Sequence, residues 1–200
     1  MQKYLYVVFL KTDTTMGKIV RAATNHEYNH VTLSFCPKLC KMFSFARYRK
    51  KSPLVGGFVC ERPSRYLFPN RDAKTKICRL PISSEEETML KRRISKFASQ
   101  GKKMRYNSIG ALTLPFGKNV SIKDTYTCLG FVCESLGICV DSIEELENIL
   151  EKYVIYEGKL GKYVGKYDTA GLEYFDPIGI SETVYDTACH FALLTKRLLD

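Results

Sequence analysis

The sequence contains no apolar run near the roughly 20 residues needed to span a bilayer, no internal repeat and no low-complexity linker. It has neither GxxxxGKS/T nor GxGxxG, which excludes nucleotide binding through those phosphate-cradling loops. Cys36-x3-Cys40 and Cys128-x4-Cys133 do not follow recognised zinc spacings, and no third and fourth ligands accompany them. No metal and no cofactor is therefore expected. Histidine is scarce, at three residues, so every candidate base can be weighed individually. Acidic residues are also few: 21 against 31 Lys and Arg, a net charge of +10.

That excess favours an anionic partner such as nucleic acid, an anionic membrane surface or an acidic substrate. The basic residues concentrate in Arg47-Tyr48-Arg49-Lys50-Lys51 and between Lys91 and Arg105. The second cluster lies on a predicted helix, where a solvated face explains it equally well. No specific nucleic-acid motif accompanies the charge.

Two hundred residues, 45% hydrophobic and 26% charged, suit one globular domain with a real core. The opening Tyr4–Leu10 run is followed by Lys11 and Asp13 where a signal peptide would carry small residues, so it reads as a buried first strand. A cytoplasmic location is the expectation. Eight cysteines raise the possibility of a disulfide scaffold, but the chain is long enough not to need one. Gly57-Phe58-Val59-Cys60 and Gly137-Ile138-Cys139-Val140 place cysteine in apolar runs, and most of the eight read as reduced core residues.

Thr14 can cap a short helix through Ile19, Val20 and Ala23. Residues 29–35 and 41–47 alternate with period two across a linker containing Pro37, which predicts a β-hairpin. Further strands are expected at Gly56–Glu61 and Thr75–Leu80, with a loop over Arg65–Lys74 between them. Ser83-Ser84-Glu85-Glu86 is a capping box for a helix to about Ser99. Tyr106–Phe116 reads as irregular. The polar stretch Lys123-Asp124-Thr125-Tyr126-Thr127 then leads into a helix from Cys128 to Gly137. Ser142 caps another helix, Tyr153–Tyr156 reads as a late strand, Gly158–Gly179 as loop, and Ser181–Leu199 as an amphipathic helix.

Cys128 falls where a polar loop becomes the first turn of a helix. Unpaired amides and the helix dipole there favour a thiolate and could hold an oxyanion. The competing account is one more small buried residue. Among possible bases, His190 sits in the amphipathic C-terminal helix as a surface or core residue, and His26 lies in a polar turn where solvation is expected. His30 opens a cleanly alternating strand, so it can face a cleft while the strand packs in the core.

Asn29-His30-Val31-Thr32-Leu33-Ser34-Phe35 followed by Tyr126-Thr127-Cys128-Leu129-Gly130-Phe131-Val132-Cys133-Glu134 resembles the permuted branch of the NlpC-type papain-like superfamily. That branch includes YiiX-like proteins, poxviral relatives and lecithin:retinol acyltransferases. In it the His-bearing strand precedes the Cys-bearing helix. The resemblance covers roughly residues 1–140, and Tyr106-Asn107-Ser108-Ile109-Gly110 is similar to the tyrosine-containing loop before the catalytic helix. It implies an α+β, circularly permuted papain-like fold, with an antiparallel sheet and the nucleophile at a helix N-terminus. Residues 1–140 would be the catalytic domain and 141–200 a helical C-terminal extension packed on it.

The implied activity is that of a cysteine hydrolase, a thiol protease or amidase, with Cys128 as nucleophile and His30 as base. Its partner would be a peptide, amide or acyl substrate. The alternatives are lipid-type acyl transfer on the same fold, or a non-catalytic basic module that binds an anionic partner. Leu129 stands where such relatives often carry Ser. The third residue, which orients the imidazole, is assigned to Ser44 on the neighbouring strand, with Glu61 and Glu27 as alternatives.

Overall fold

The first strand, β1 (Lys3–Leu10), is an apolar run buried on both faces, so the chain must supply a packed layer on each side of it. In the computed structural model, which describes the chain except residues 1, 53, 69, 70, 114–119, 166–173, 175, 177 and 200, it does so within an α+β architecture. After β1 come α1 (Thr15–Thr24), β2 (His30–Ser34), β3 (Met42–Arg47) and β4 (Gly56–Glu61). A 3-10 turn (Pro63–Arg65), β5 (Leu67–Phe68) and β6 (Arg71–Asp72) lead to β7 (Lys74–Ile82), α2 (Ser84–Gln100) and β8 (Arg105–Tyr106). Then follow α3 (Ser108–Thr113), β9 (Thr125–Tyr126), α4 (Cys128–Leu136), α5 (Ile143–Leu150), β10 (Val154–Lys159), α6 (Leu160–Val164) and α7 (Ile180–Leu199).

Eight of the strands form one mixed sheet in the order β10-β7-β1-β2-β3-β4-β8-β9. All neighbours are antiparallel except β8 and β9. Alternation sorts its side chains. Leu5, Val7, Phe9, Val31, Leu33 and Phe45 face a core built with α2, α4 and α5. Tyr6, Val8, Leu10, Met42 and Ile77 face a second, smaller core completed by Leu39, Tyr66 and Leu160.

An aromatic cluster fixes the helix that carries Cys128. Phe131 of α4 lies 5.7 Å from Phe45 of β3 and 5.6 Å from Phe97 of α2, centroid to centroid, and Phe97 meets Phe45 edge-on at 5.5 Å. Such pairs add about 0.5–1.5 kcal/mol each beyond their buried area. They seat α4 against β3 and α2, beside the strand that carries His30.

Caps set the helix starts. Thr14, Ser83, Thr127 and Ser142 each accept a backbone N–H three residues on, and Ser83 with Glu86 forms a full capping box. The basic residues of α2 (Lys91, Arg92, Arg93 and Lys96) lie on its exposed face, opposite Leu90, Ile94 and Phe97.

Four local expectations change. The Arg65–Lys74 stretch is not a plain loop: β5 and β6 pair as a small hairpin. Tyr106–Phe116 contains the end of β8 and α3, whereas 114–119 lie outside the described residues. The late strand expected at Tyr153–Tyr156 forms as β10, which pairs with β7 at the edge of the main sheet. Gly158 belongs to that strand, and much of the expected Gly158–Gly179 loop falls outside the described residues. Finally, all eight cysteines are free but only Cys78, Cys128 and Cys133 are buried. Cys60 and Cys139, expected in apolar runs, are exposed. Among the described residues no helix is long and apolar enough to cross a membrane.

Candidate active site

Cys128 is the first residue of α4, directly after the Thr127 cap, whose hydroxyl accepts the Gly130 N–H at 3.0 Å. That cap satisfies one first-turn amide and leaves others available to the sulfur. His30 is the first residue of β2 and pairs with Leu10 of β1 in the sheet register. Both side chains are buried, Cys128 at 7% exposure and His30 at 8%.

The two are electrostatically joined. Burial opposes a Cys128 thiolate, but a side-chain hydrogen bond and the charge of His30 lower its pKa below the ordinary thiol value. The backbone N–H groups of Val31 and Leu129 act in the same direction. Burial likewise opposes charge on His30. The Glu61 carboxylate and the Cys128 sulfur outweigh it and raise the imidazole well above its usual range.

Glu61 supplies the counter-charge. It ends β4, opposite Met42 of β3, and is 1% exposed. Its Oε2 lies 3.0 Å from His30 Nε2, and its Oε1 is ion-paired with Arg65 Nη1 at 3.2 Å. Despite burial, the two cations and the Tyr66 hydroxyl hold the carboxyl well below the usual carboxylate range. Arg65 is itself buried, donates to the Arg47 carbonyl, and stacks over the Tyr174 ring with its Cζ 3.9 Å from the centroid. Contacts thus run Arg65–Glu61–His30 from the turn after β4 to the start of β2, and the electrostatic coupling of His30 to Cys128 carries the charge pattern on to the start of α4.

Ser44 is not part of that run of contacts. Strand parity does put it on the same sheet face as His30 and Glu61, but its hydroxyl donates to the Val31 carbonyl at 3.0 Å and, more weakly, to that of Phe45 at 3.4 Å. Thr32 makes a similar bond to the Phe43 carbonyl at 2.9 Å. Backbone pairing between β2 and β3 is sparse, with Leu33 opposite Phe43, and these two hydroxyls tie the strands together. The contact to the imidazole expected of Ser44 is made by Glu61. Glu27 is elsewhere, ion-paired to Lys11 at 3.0 Å and Lys74 at 2.6 Å.

The other histidines part company with the site. His26 is not simply solvated: its Nε2 lies 3.0 Å from Glu147. His190 is buried on α7 with Nε2 3.4 Å from Ser108 Oγ.

A cleft of about 980 Å³ opens beside His30. Val20, Phe45, Tyr66, Ile178 and Val184 give it apolar walls, and Lys11, Arg47, Lys50 and Lys51 give it basic ones. Tyr106, whose ionisation is opposed by burial and by the Cys128 sulfur, faces the same cleft. Among the described residues, no group of three or more His, Cys, Asp or Glu side chains is placed to hold a metal ion.

Sequence reasoning misses Arg65, Tyr66 and Tyr174. The Glu61-x3-Arg65 spacing is a readable sign of an ion pair, but nothing in sequence brings Tyr174 to it. Comparison with family profiles, curated proteins and solved structures finds no match.

Proposed function

We propose that this chain is a thiol hydrolase of the permuted papain-like kind, acting on an amide or ester carbonyl through Cys128, His30 and Glu61. The observation that carries this reading is the buried Glu61–His30 contact, coupled electrostatically to a Cys128 sulfur at a helix N-terminus. The chain order, with His30 on a strand before Cys128 on a helix, is the order that resemblance implies.

With Nε2 engaged by Glu61, Nδ1 is the ring nitrogen left for the sulfur. His30 takes the thiol proton, and Glu61 stabilises the imidazolium and fixes the ring. The Cys128 thiolate attacks the carbonyl carbon, and first-turn amides of α4 stabilise the oxyanion. Collapse expels the amine or alcohol, which takes a proton from His30. Water, activated by the same imidazole, then attacks the thioester and releases acid and free thiol. A peptide or amide is the first substrate class. The apolar walls and basic residues of the cleft favour a second, an acyl lipid handled by hydrolysis or acyl transfer.

Labelling with a panel of electrophilic acyl probes tests the reading. Covalent capture at Cys128, competed by iodoacetamide and lost in His30→Ala, is the expected result. Salt-sensitive binding to an anionic partner that Cys128→Ala leaves intact, with no probe captured at Cys128, would replace it with a binding module.

A further inference from the structure

The connection between β2 and β3 carries a second thiol centre, unrelated to Cys128. Cys36 Sγ and Cys40 Sγ lie 3.0 Å apart. Both belong to a turn whose shape is fixed without help from the sulfurs. Ser34 Oγ accepts the Cys36 N–H at 3.1 Å and donates to the Lys41 carbonyl at 2.8 Å, and the Leu39 N–H donates to the Cys36 carbonyl at 2.9 Å. Leu39 adopts a left-handed φ of 54°, a conformation a leucine rarely holds. Its fully buried side chain in the smaller core keeps it there.

We propose that Cys36 and Cys40 are a redox-active dithiol, converted to an intrachain disulfide by a small-molecule disulfide. The turn holds the two thiols together, so the second step is intramolecular and the loop-closure cost is already met by the fold. Burial opposes a thiolate at Cys36, but the Cys40 thiol, the backbone N–H groups of Cys40 and Lys38 and the Lys38 charge outweigh it. Cys40 is the more exposed of the two. Its hydrogen bond to Cys36, however, raises the Cys40 pKa, so Cys36 is the attacking sulfur and Cys40 the resolving one.

The chemistry balances. The Cys36 thiolate attacks one sulfur of the oxidant, forming a mixed disulfide and expelling a thiolate. Cys40 gives up its proton and attacks the Cys36 sulfur, expelling the second thiolate. Two protein thiols lose two electrons, and the oxidant is reduced to two thiols that take up the protons. The site is separated from His30 by the length of β2, about 13 Å along the strand, so its chemistry does not depend on the hydrolytic reading.

The test treats the full chain carrying Cys128→Ala, which removes competition from that sulfur, with limiting oxidised glutathione at neutral pH. Remaining thiols are alkylated and peptides mapped by mass spectrometry. A Cys36–Cys40 bridge should accumulate at least about tenfold faster than glutathione adducts at the exposed Cys60, Cys139 and Cys189. Adding Cys40→Ser should arrest the reaction as a glutathione adduct on Cys36. Adducts spread over the exposed cysteines without a bridge, or a stable adduct on Cys36 while Cys40 is present, would overturn the proposal.

Discussion

Two histidines are buried in this molecule, and their surroundings push them in opposite directions. His190 on α7 is burdened by burial and then by the charges of Arg105 and Arg197, which together lower its pKa to about 4. Its side-chain partner is a neutral hydroxyl, Ser108, at 3.4 Å. His30 is buried too, yet a carboxylate 3.0 Å away and the Cys128 thiol raise it. Burial among cations disfavours a charged histidine, whereas a buried carboxylate partner favours one. Only the second arrangement can activate a thiol.

Removing the sulfur should disturb this contrast most. Cys128→Ala should reduce acyl-probe turnover by at least about 10³-fold, measured as hydrolysis of whichever probe the wild type accepts. Glu61→Gln comes next. It removes the charge that holds the imidazolium, so His30 loses its proton more readily and the Cys128 pKa rises. Turnover should fall by about 10- to 100-fold, and half-maximal iodoacetamide labelling of Cys128 should move to higher pH. An unchanged profile would free Glu61 from any part in the site.

Arg65→Met leaves Glu61 buried with one cation instead of two. Removing one partner of a buried ion pair costs about 3–5 kcal/mol, which urea denaturation would register. Ser44→Ala should cost about 1–2 kcal/mol by leaving the Val31 carbonyl without its donor, with the Cys128 labelling rate unchanged. Smallest of all is the effect of His190→Leu on labelling: the rate and its pH dependence should match wild type, because the residue touches none of Glu61, His30 and Cys128.

Cys128 and His30 each lie at the first residue of an element whose start the sequence marks, by the Thr127 cap in one case and by strand alternation in the other. The carboxylate is harder. Period-two parity correctly narrows the strand neighbours of His30 to one sheet face, but Ser44 and Glu61 share that face. Choosing between them depends on where each side chain's hydrogen bonds go. A short serine hydroxyl reaches the adjacent strand's carbonyl, whereas a glutamate at a strand end, two residues before a proline turn, reaches the ring. Tyr174 lies 109 positions beyond Arg65, and tertiary packing alone brings its ring over the guanidinium. The two-residue strands β5, β6, β8 and β9 likewise have no periodicity to read, since two residues cannot alternate.

An imidazolium–thiolate pair requires His30 to be protonated at neutral pH, with His190 as the buried contrast, and imidazole ¹⁵N chemical shifts recorded from about pH 5 to 9 measure both directly. His30 should carry protons on both nitrogens at neutral pH while His190 carries one. Replacing Glu61 with Gln should bring the His30 titration down into the observed range and leave His190 unmoved. A wild-type His30 that is neutral at neutral pH and indifferent to Glu61 would rule the pair out.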